Sequence, residues 1–401
     1  MGHPPVYMDN HATTRVDPRV VEAMLPTFTE TFGNAASTAH GFGWAAKEAV
    51  DAARESLAKA IGARPEELVF TSGATESNNL AIRGVAEHPR RQGSHLVSVV
   101  TEHRAVLDPL NRLARQGFEV TQLPVAQAPD ERAGIVLAQQ VADAIRDDTV
   151  LVTVMLANNE VGAIHPVEAI GRACRDRGVL LHTDATQAVG KIPVDVARLG
   201  VDLMSFSAHK IYGPKGIGAL YVRRATPIVR LEPLILGGGH ERGLRSGTLN
   251  VPGIVGFARA LDLCLEEMAA ETDRLMALRD RLYRGLMEAV PDLHLNGPAL
   301  RPGLRLAGNL NVAFAGIDGE TLLMSAPGVA VSSGSACTSS RPEPSHVLRA
   351  LGLSDERARG SLRFGLGRFN TADDVEYAIE TLAEAAGRLR RMSSLPIQRG
   401  V

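Results

Sequence analysis

The stretch Ser205-Phe206-Ser207-Ala208-His209-Lys210-Ile211-Tyr212-Gly213-Pro214-Lys215-Gly216 separates two apolar runs of the chain. These runs, residues 201–206 and 217–222, have the length and composition of buried strands. The glycine and proline between them predict a tight turn. Lys210 is therefore expected just past the end of a buried strand.

Lys210 is one of only five lysines among 43 lysine and arginine residues, so the use of lysine here needs a reason. Arginine stays charged in proteins, whereas a desolvated lysine can lose its proton and act as a nucleophile. Lys210 is therefore the best candidate for a lysine that forms a Schiff base. The alternative is a loop lysine paired with a nearby carboxylate. The other lysines fall in helical or turn-like sequence: Lys47, Lys59, Lys191 and Lys215.

Length and composition indicate a soluble globular protein. The 401 residues are enough for two domains and a large core. Charged residues make up 22% and the net charge is −2, which gives no electrostatic case for binding nucleic acid or membranes. No apolar run approaches the roughly 20 residues that a membrane helix needs. The start lacks a secretory signal and the three cysteines form no Cys-x-x-Cys pair, so we expect a cytoplasmic protein.

Strand-like apolar runs alternate with helical runs through the first half of the chain. This alternation predicts an α/β fold with a mostly parallel sheet covered by helices. The runs are continuously apolar, as expected for strands buried on both faces. The predicted strands are Leu68–Phe70, Leu96–Val100, Phe118–Leu123, Val150–Leu156, Val179–His182 and Leu203–Phe206.

The second half of the chain predicts a smaller α+β domain. A long helical region from about Val251 to Val290 is a candidate connector between domains. We predict a large domain over residues 19–264 and a small domain formed by residues 1–18 and 265–401. Beyond the long helix, the predicted strands are Asn309–Phe314, Val329–Ser332 and Leu362–Leu366, and the predicted helices are Gly319–Ser325 and Ala372–Met392.

Three polar groups follow separate strands of the predicted sheet. Residues 71–78 open a helix with small side chains, so their N–H groups could hold a phosphate; a simple cap by Ser72 or Thr75 is the alternative. Asp184 could keep a proton on a heterocyclic nitrogen, or it could merely cap the next turn. His103 could stack on a planar ring or move protons, although a lone strand-end histidine is usually structural.

These three groups and Lys210 should converge at one edge of a parallel sheet. An anion site, a partner for a pyridine nitrogen and an amine nucleophile together describe pyridoxal 5'-phosphate held as an imine. The sequence therefore predicts this cofactor.

Two further residues come from the predicted small domain. Cys337 lies in a run of small polar residues, which we expect to form an exposed loop at about 330–342. Such a thiol could attack a substrate and carry the product away, whereas Cys174 and Cys264 fall at helical packing positions. Arg363 lies on a short predicted strand and suits bidentate binding of a carboxylate, with a surface ion pair as the alternative.

The combined motifs resemble the cysteine desulfurases, and more closely the housekeeping group with a long cysteine loop than the group with a short one. The resemblance implies an aspartate-aminotransferase-like fold, which is fold type I of the pyridoxal-phosphate-dependent transferases. It also implies a mostly parallel seven-stranded sheet in the large domain. The matching motifs keep the family's order: Asp9 with Ala12-Thr13-Thr14, Ser72-Gly73-Ala74-Thr75-Glu76, Thr101-Glu102-His103, Asn158-Asn159-Glu160-Val161-Gly162, Asp184-Ala185-Thr186-Gln187, Ser207 to Gly216, Arg245-Ser246-Gly247-Thr248 and Ser332-Ser333-Gly334-Ser335-Ala336-Cys337.

The resemblance also implies a role for each site residue. Lys210 would form the Schiff base with the cofactor and later move the α-proton of the substrate. Asp184 would pair with the pyridinium nitrogen, Gln187 would contact the ring oxygen, and His103 would stack on the ring and take part in acid–base steps. The phosphate would be bound by Ala74, Thr75, Ser207 and His209.

The remaining implied roles concern the substrate and the partner subunit. Asn159, beside the cofactor, and Arg363 would hold the carboxylate of L-cysteine. Cys337 would attack the substrate sulfur, which yields alanine and a persulfide on Cys337. Thr248 would reach the phosphate of the neighbouring subunit, which implies a homodimer with shared sites.

An iron–sulfur scaffold protein and other sulfur acceptors are the implied partners, and Cys337 is also a candidate ligand for a transient iron–sulfur cluster. The chain departs from the family at Ala208, where members often have glycine or serine. It also ends soon after Ser393, where many housekeeping members carry a longer tail that helps to dock the scaffold. Two other functions stay open: a pyridoxal-phosphate lyase or aminotransferase independent of Cys337, such as a selenocysteine lyase, and a catalytically silent scaffold.

Overall fold

A seven-stranded sheet forms the centre of the protein in a computed structural model that describes residues 5–225, 228–333 and 343–393. Its strands are β2 Leu68–Thr71, β3 His95–Val99, β4 Glu119–Leu123, β5 Thr149–Thr153, β6 Leu180–Asp184, β7 Leu203–Ser207 and β8 Gly218–Val222. The spatial order is β2-β8-β7-β6-β5-β3-β4, and β8 is the one strand of this sheet that runs opposite to the other six. Apart from the edge strand β4 and the first residue of β6, these strands are buried throughout. The predicted α/β architecture with a mostly parallel sheet is confirmed.

The remaining strands form two smaller sheets. They are β1 Val6–Tyr7, β9 Leu293–Leu295, β10 Asn309–Phe314, β11 Val329–Ala330, β12 Ser332–Ser333 and β13 Ser361–Gly365. An antiparallel sheet has the order β12-β13-β10-β9, while β1 pairs in parallel with β11. The single strand predicted over Val329–Ser332 is therefore wrong: β11 and β12 join different sheets, with Val331 between them.

Helices cover the large sheet and pack around the small sheets. They are α1 Pro18–Met24, α2 Pro26–Thr29, α3 Gly41–Ala60, α4 Ala74–Ala86, α5 Arg104–Arg115, α6 Ala138–Ala144, α7 Val167–Asp176, α8 Val196–Leu199, α9 Val251–Ala289, α10 Gly319–Ser325, α11 His346–Ala350, α12 Asp355–Arg359 and α13 Ala372–Ser393. The predicted long helix is confirmed as α9, a single helix of 39 residues. None of these helices has an apolar stretch long enough to cross a membrane.

Two separate apolar cores lie at the two ends of α9. The first half of α9, through Ile254 and Phe257, packs with the large sheet. The second half, through Leu282 and Leu286, packs with β10, β13 and α13, and Met8 of the N-terminal segment joins this second core. Residues 347–358, predicted inside the small domain, contribute side chains to the first core instead. The division into two domains stays a prediction.

The N-terminal segment is hydrogen-bonded to strands from the end of the chain. The Met8 N–H donates to Ala330 O at 2.9 Å, and the Gly365 N–H donates to Met8 O at 2.7 Å. Asn10 follows with a bond from its own N–H to Gly365 O at 3.0 Å. These bonds fix residues 9–14 where the small sheet meets the large one.

Candidate active site

An open cavity of about 620 Å³ lies at the carboxyl ends of the parallel strands of the large sheet. This edge of the sheet is where open α/β proteins bind their ligands. Apart from Thr248, every predicted site residue in the described part of the chain lines the cavity. These residues are Ala74, Thr75, His103, Asn159, Asp184, Gln187, Ser207, His209, Lys210 and Arg363.

The turn that carries Lys210 is held against the N-terminal segment. Its Nζ donates to His11 O at 2.7 Å and to Ala12 O at 2.6 Å. Thr13 and Thr14 hold the flanks of the turn: Thr13 Oγ1 lies 3.1 Å from His209 Nδ1, and the Tyr212 N–H donates to Thr14 Oγ1 at 2.7 Å. The position of the amine in the cavity therefore depends on residues about 200 positions away in the chain.

Lys210 has the electrostatic environment of a nucleophile. None of the ion pairs in the described residues involves it, so the alternative of a loop lysine paired with a carboxylate is not what the structure shows. Burial, and next the positive charge of Arg363, lower the pKa of Lys210 to about 8. A substantial fraction of the amine is therefore unprotonated near neutral pH.

Asp184 is a buried carboxylate with neutral hydrogen-bond donors. Asn78 Nδ2 donates to Asp184 Oδ2 at 2.7 Å, and the Thr186 N–H donates to Oδ1 at 3.0 Å. No lysine or arginine in the described residues forms an ion pair with it. A buried carboxylate normally requires a positive partner, so the site fits a ligand with a protonated ring nitrogen.

The start of α4 leaves open space for an anion. Gly73 precedes this helix with φ at 152°, and a Cβ placed there would project into the cavity, with Ser207 Oγ as its nearest neighbour at 3.9 Å. A Cβ on Gly218 would lie only 2.7 Å from Gly73 Cα, so β8 can approach this turn closely only because residue 218 is glycine. Free N–H groups in the first turn of a helix bind phosphate well, so the cradle fits the phosphate of the predicted cofactor.

Three histidines line the cavity, His11, His103 and His209, and burial lowers the pKa of each, so that all three are neutral at pH 7. His103 caps α5, because its Nδ1 accepts the Ala105 N–H at 3.1 Å. The proton of its neutral ring therefore lies on Nε2, and desolvation lowers the pKa of His103 even though the ring is reached by solvent through the cavity mouth. Burial, followed by the charge of Lys210, lowers the pKa of His209 to about 4.

The opposite wall of the cavity carries Arg363 at the centre of β13. Arg363 Nη2 donates to Asp9 Oδ1 and to Ser332 Oγ, both at 2.8 Å, and Nη1 donates to Asn159 O at 3.2 Å. Its buried Nε has no partner. The guanidinium therefore has donor capacity left for a carboxylate in the cavity, and the Asp9 carboxylate competes for the same group.

Gln187 is held by a residue that the sequence did not single out. Its Nε2 donates to His11 O at 2.9 Å, and its Oε1 lies 3.1 Å from His11 Nδ1. Sequence reasoning also missed Asn78, the partner of Asp184. The available signal was the position of Asn78 one helical turn after Ala74, which places both on the same side of α4.

One predicted site residue lies away from the cavity, and another is outside the described residues. Thr248 is exposed and does not line the cavity of its own chain. Cys337 lies outside the described residues, as does the tail after Ser393. Among the described residues that flank the Cys337 segment, Ser332 binds Arg363 of the cavity, and His346 Nε2 lies 2.9 Å from the carbonyl oxygen of Glu102, the residue before His103.

Comparison with known proteins adds independent findings. The chain matches the aminotransferase class-V family over residues 6–378. It is 57% identical over 391 residues to a protein of Anaeromyxobacter dehalogenans (strain 2CP-C) named cysteine desulfurase IscS, with 98% of this chain and 95% of the relative covered.

Two solved structures are also similar. A NifS-like protein matches with a TM-score of 0.86 and 41% identity, covering 96% of this chain and 100% of the other. A structure described as SspA in complex with cysteine matches with a TM-score of 0.78 and 37% identity, covering 91% of this chain and 99% of the other.

Proposed function

The chain belongs to the class-V aminotransferase family and is a pyridoxal-phosphate-dependent cysteine desulfurase, and we propose that Cys337 receives the sulfur. The family and the similar solved structures confirm the predicted aspartate-aminotransferase-like fold. The observation that supports the chemistry best is the pair of unsatisfied charges in the cavity: an amine without a carboxylate, Lys210, and a carboxylate without a cation, Asp184.

The cofactor would be held by the residues of the large sheet. Its phosphate suits the first turn of α4 with Ser207 and His209, and its ring nitrogen suits Asp184. When bound, pyridoxal phosphate supplies an electron-withdrawing ring that takes up negative charge from an amino acid joined to it. Asp184 would keep the ring nitrogen protonated, which makes this withdrawal stronger.

Two side chains can move protons above this ring. Lys210 can take a proton from the α-carbon of the substrate, because its lowered pKa leaves about a tenth of the amine neutral at pH 7, far more than for an ordinary lysine. His103 can donate and recover a proton at Nε2, since the Ala105 N–H occupies its Nδ1. The cap on α5 thus fixes which nitrogen of His103 faces the reaction.

Arg363 would orient the substrate by its carboxylate. The Nη groups that now contact Asp9 and Asn159 can bind the two carboxylate oxygens together.

Cys337 is close enough along the chain to reach the cavity. It follows Ser333 by four positions, and four extended residues span at most about 14 Å. In the transfer, the Cys337 thiolate forms a bond to the substrate sulfur while the bond from that sulfur to the β-carbon breaks and leaves its electron pair on carbon. L-cysteine and the Cys337 thiol thereby give L-alanine and the Cys337 persulfide, with every atom conserved.

The experiment is a comparison of Cys337→Ala with Cys174→Ala. The protein loaded with pyridoxal phosphate is given L-cysteine, and alanine and the mass of the intact protein are measured. The unaltered protein and Cys174→Ala should form alanine and gain one sulfur atom on Cys337, because Cys174 is buried in α7. Cys337→Ala should do neither; alanine and sulfide production without Cys337 would instead indicate a lyase that does not use this thiol.

A homodimer belongs to the same proposal and is supported by an exposed aromatic patch near the N-terminus. Phe28, Phe32, Phe42 and Trp44 are each 58–60% exposed, and the rings of Phe32 and Phe42 are 5.3 Å apart. Apolar patches of this kind usually mark protein interfaces. We propose that a second copy of the chain covers the patch and receives Thr248 near its phosphate site. Light scattering should give a dimer that Phe32→Asp dissociates, and Met324→Asp, at an exposed methionine elsewhere, should leave it intact.

The last part of the proposal concerns the proteins that accept the sulfur from Cys337. We infer an iron–sulfur scaffold protein and other thiol acceptors in the cytoplasm, which agrees with the free, unpaired thiols of Cys174 and Cys264. Persulfide-labelled protein should pass its label to such partners in a native extract. Iron analysis of an anaerobic complex with a scaffold tests whether Cys337 also ligates a cluster.

A further inference from the structure

Lys191 contacts Gln187, a residue of the active site, without lining the active-site cavity itself. The chain turns after β6, and Lys191 Nζ donates to Gln187 Oε1 at 2.7 Å. Lys191 lines a second cavity of about 40 Å³, which His11, Cys264 and Glu271 also line, and it does not line the active-site cavity. Lys191 therefore makes contact with the active site only through another residue of the described part of the chain.

The Gln187 amide has a single orientation in this network. Its oxygen receives the Lys191 ammonium and faces His11 Nδ1 at 3.1 Å, while its nitrogen donates to His11 O at 2.9 Å. Lys210 Nζ donates to that same carbonyl of His11 at 2.7 Å. The amide nitrogen thus lies on the Lys210 side, and its second N–H is left for the active-site cavity, which Gln187 lines.

Reversal of the amide would be unfavourable. It would turn two N–H donors towards the ammonium of Lys191, which is itself only a donor, and would leave the buried nitrogen of Gln187 opposed by positive charge. None of the ion pairs in the described residues involves Lys191, so the Gln187 oxygen is its principal partner. The ammonium therefore selects one of the two amide orientations.

The pKa of Lys191 depends on its burial and on the charged groups around it. Burial comes first and, with the neighbouring positive charges, lowers the pKa of Lys191 to about 7 in the site without a cofactor, while Cys264 and Glu271 act in the opposite direction. Negative charge on the ring oxygen of a bound cofactor would raise the pKa of Lys191 again and favour the ammonium. The charged and titratable groups that interact with it electrostatically are Lys210, Arg363, Cys264, Glu271, His11 and His209.

We propose that Lys191 is a positioning residue that fixes the Gln187 amide with its N–H towards the ring oxygen of the cofactor and, as a cation behind the amide, strengthens that donor. This inference rests on the proposed binding of pyridoxal phosphate beside Gln187. A stronger donor stabilises negative charge on the ring oxygen, and it thereby lowers the pKa of the nitrogen that joins Lys210 to the cofactor.

The test is the pH dependence of visible absorbance in the loaded protein without substrate. Lys191→Met should move the absorbance transition upward by roughly one pH unit, because a hydrogen bond to a charged group contributes on that scale. Lys59→Met, at an exposed lysine of α3, should leave the transition where it is. Cofactor content and thermal unfolding of each variant show that the fold is retained.

The double variant distinguishes an effect of Lys191 through the Gln187 amide from a direct electrostatic effect of its charge on the cofactor. In a Gln187→Ala background, Lys191→Met should cause a much smaller shift, because only the direct charge interaction between Lys191 and Lys210 remains. An unchanged or lowered transition in Lys191→Met, or a shift of equal size in the Gln187→Ala background, would overturn the proposal. Alanine formation by the unaltered protein is measured in parallel, so a failure of the desulfurase assignment is distinguished from a failure of the Lys191 assignment.

Discussion

The charged residues on the two walls of the active-site cavity have different kinds of partner. On the large-sheet wall, Lys210 bonds to carbonyl oxygens and Asp184 to neutral N–H donors. On the small-sheet wall, Arg363 is already paired with Asp9 and with Ser332. The first wall suits a cofactor that brings its own charges and stays, and the second suits a carboxylate that exchanges with an existing partner. Changes on the first wall should therefore affect the cofactor and the chemical step, whereas changes on the second should affect KM for L-cysteine.

The largest effect should come from Lys210→Ala on the first wall. Loss of both the nucleophile and the proton carrier should lower alanine formation by at least about 10³-fold. Borohydride reduction should trap the cofactor on the unaltered protein and not on the variant. Lys59→Ala is the matched control, and near-normal turnover in Lys210→Ala would refute the role of this lysine.

On the second wall, Arg363→Ala should raise KM for L-cysteine while the visible absorbance of the bound cofactor stays unchanged. Hydrogen bonds to a charged group contribute about 1.5–3 kcal/mol, which corresponds to roughly 10- to 150-fold in KM. Steady-state kinetics with Arg349→Ala, at an exposed arginine of α11, provide the control. If the cofactor were lost along with substrate affinity, the two walls would not be separate in function.

The pH dependence of cofactor uptake sharpens the description of the first wall. The nucleophile is the neutral amine, and the pKa of Lys210 is lowered to about 8, so its reactive fraction rises as the pH increases through that value. The initial rate at which cofactor-free protein takes up pyridoxal phosphate should therefore rise about tenfold between about pH 7 and pH 9. A rate that rises only near pH 10 would mean that the amine titrates as an ordinary lysine.

The smallest effect should come from Asp9→Asn. Removal of the internal carboxylate frees Arg363 for the substrate, so KM for L-cysteine should fall, by roughly two- to five-fold for a partly exposed ion pair. Asp108→Asn on the exposed face of α5 is the control. A rise in KM would show instead that Asp9 acts by orienting Arg363.

Most of the large sheet could be predicted because its signal is local. Each buried strand is a continuous apolar run, and polar site residues such as Asp184 and Lys210 come directly at or after the strand ends. The long helix α9 was equally visible from its periodicity.

The partners of these residues were not predictable, because they depend on contacts between distant parts of the chain. Gln187 and His11 are 176 positions apart, and Asp9 and Arg363 are 354 apart. The division of the predicted strand Val329–Ser332 had the same cause: its two halves pair with different strands, one from each end of the sequence. Lys191 shows the limit most clearly, since a lysine in turn-like sequence gave no sign that it reaches the oxygen of Gln187.

The hydrogen bonds between the N-terminal segment and strands near the end of the chain have a consequence for biosynthesis. A ribosome adds about 5–20 residues per second, so roughly 20–70 s separate the synthesis of Asp9 from that of Arg363. During this interval the carbonyl groups of His11 and Ala12 cannot yet be fixed by the bonds of Met8 and Asn10 to residues 330 and 365. The nascent chain therefore completes its vitamin-binding site only after nearly all of it has left the exit tunnel, and a truncated product would be released without a working one.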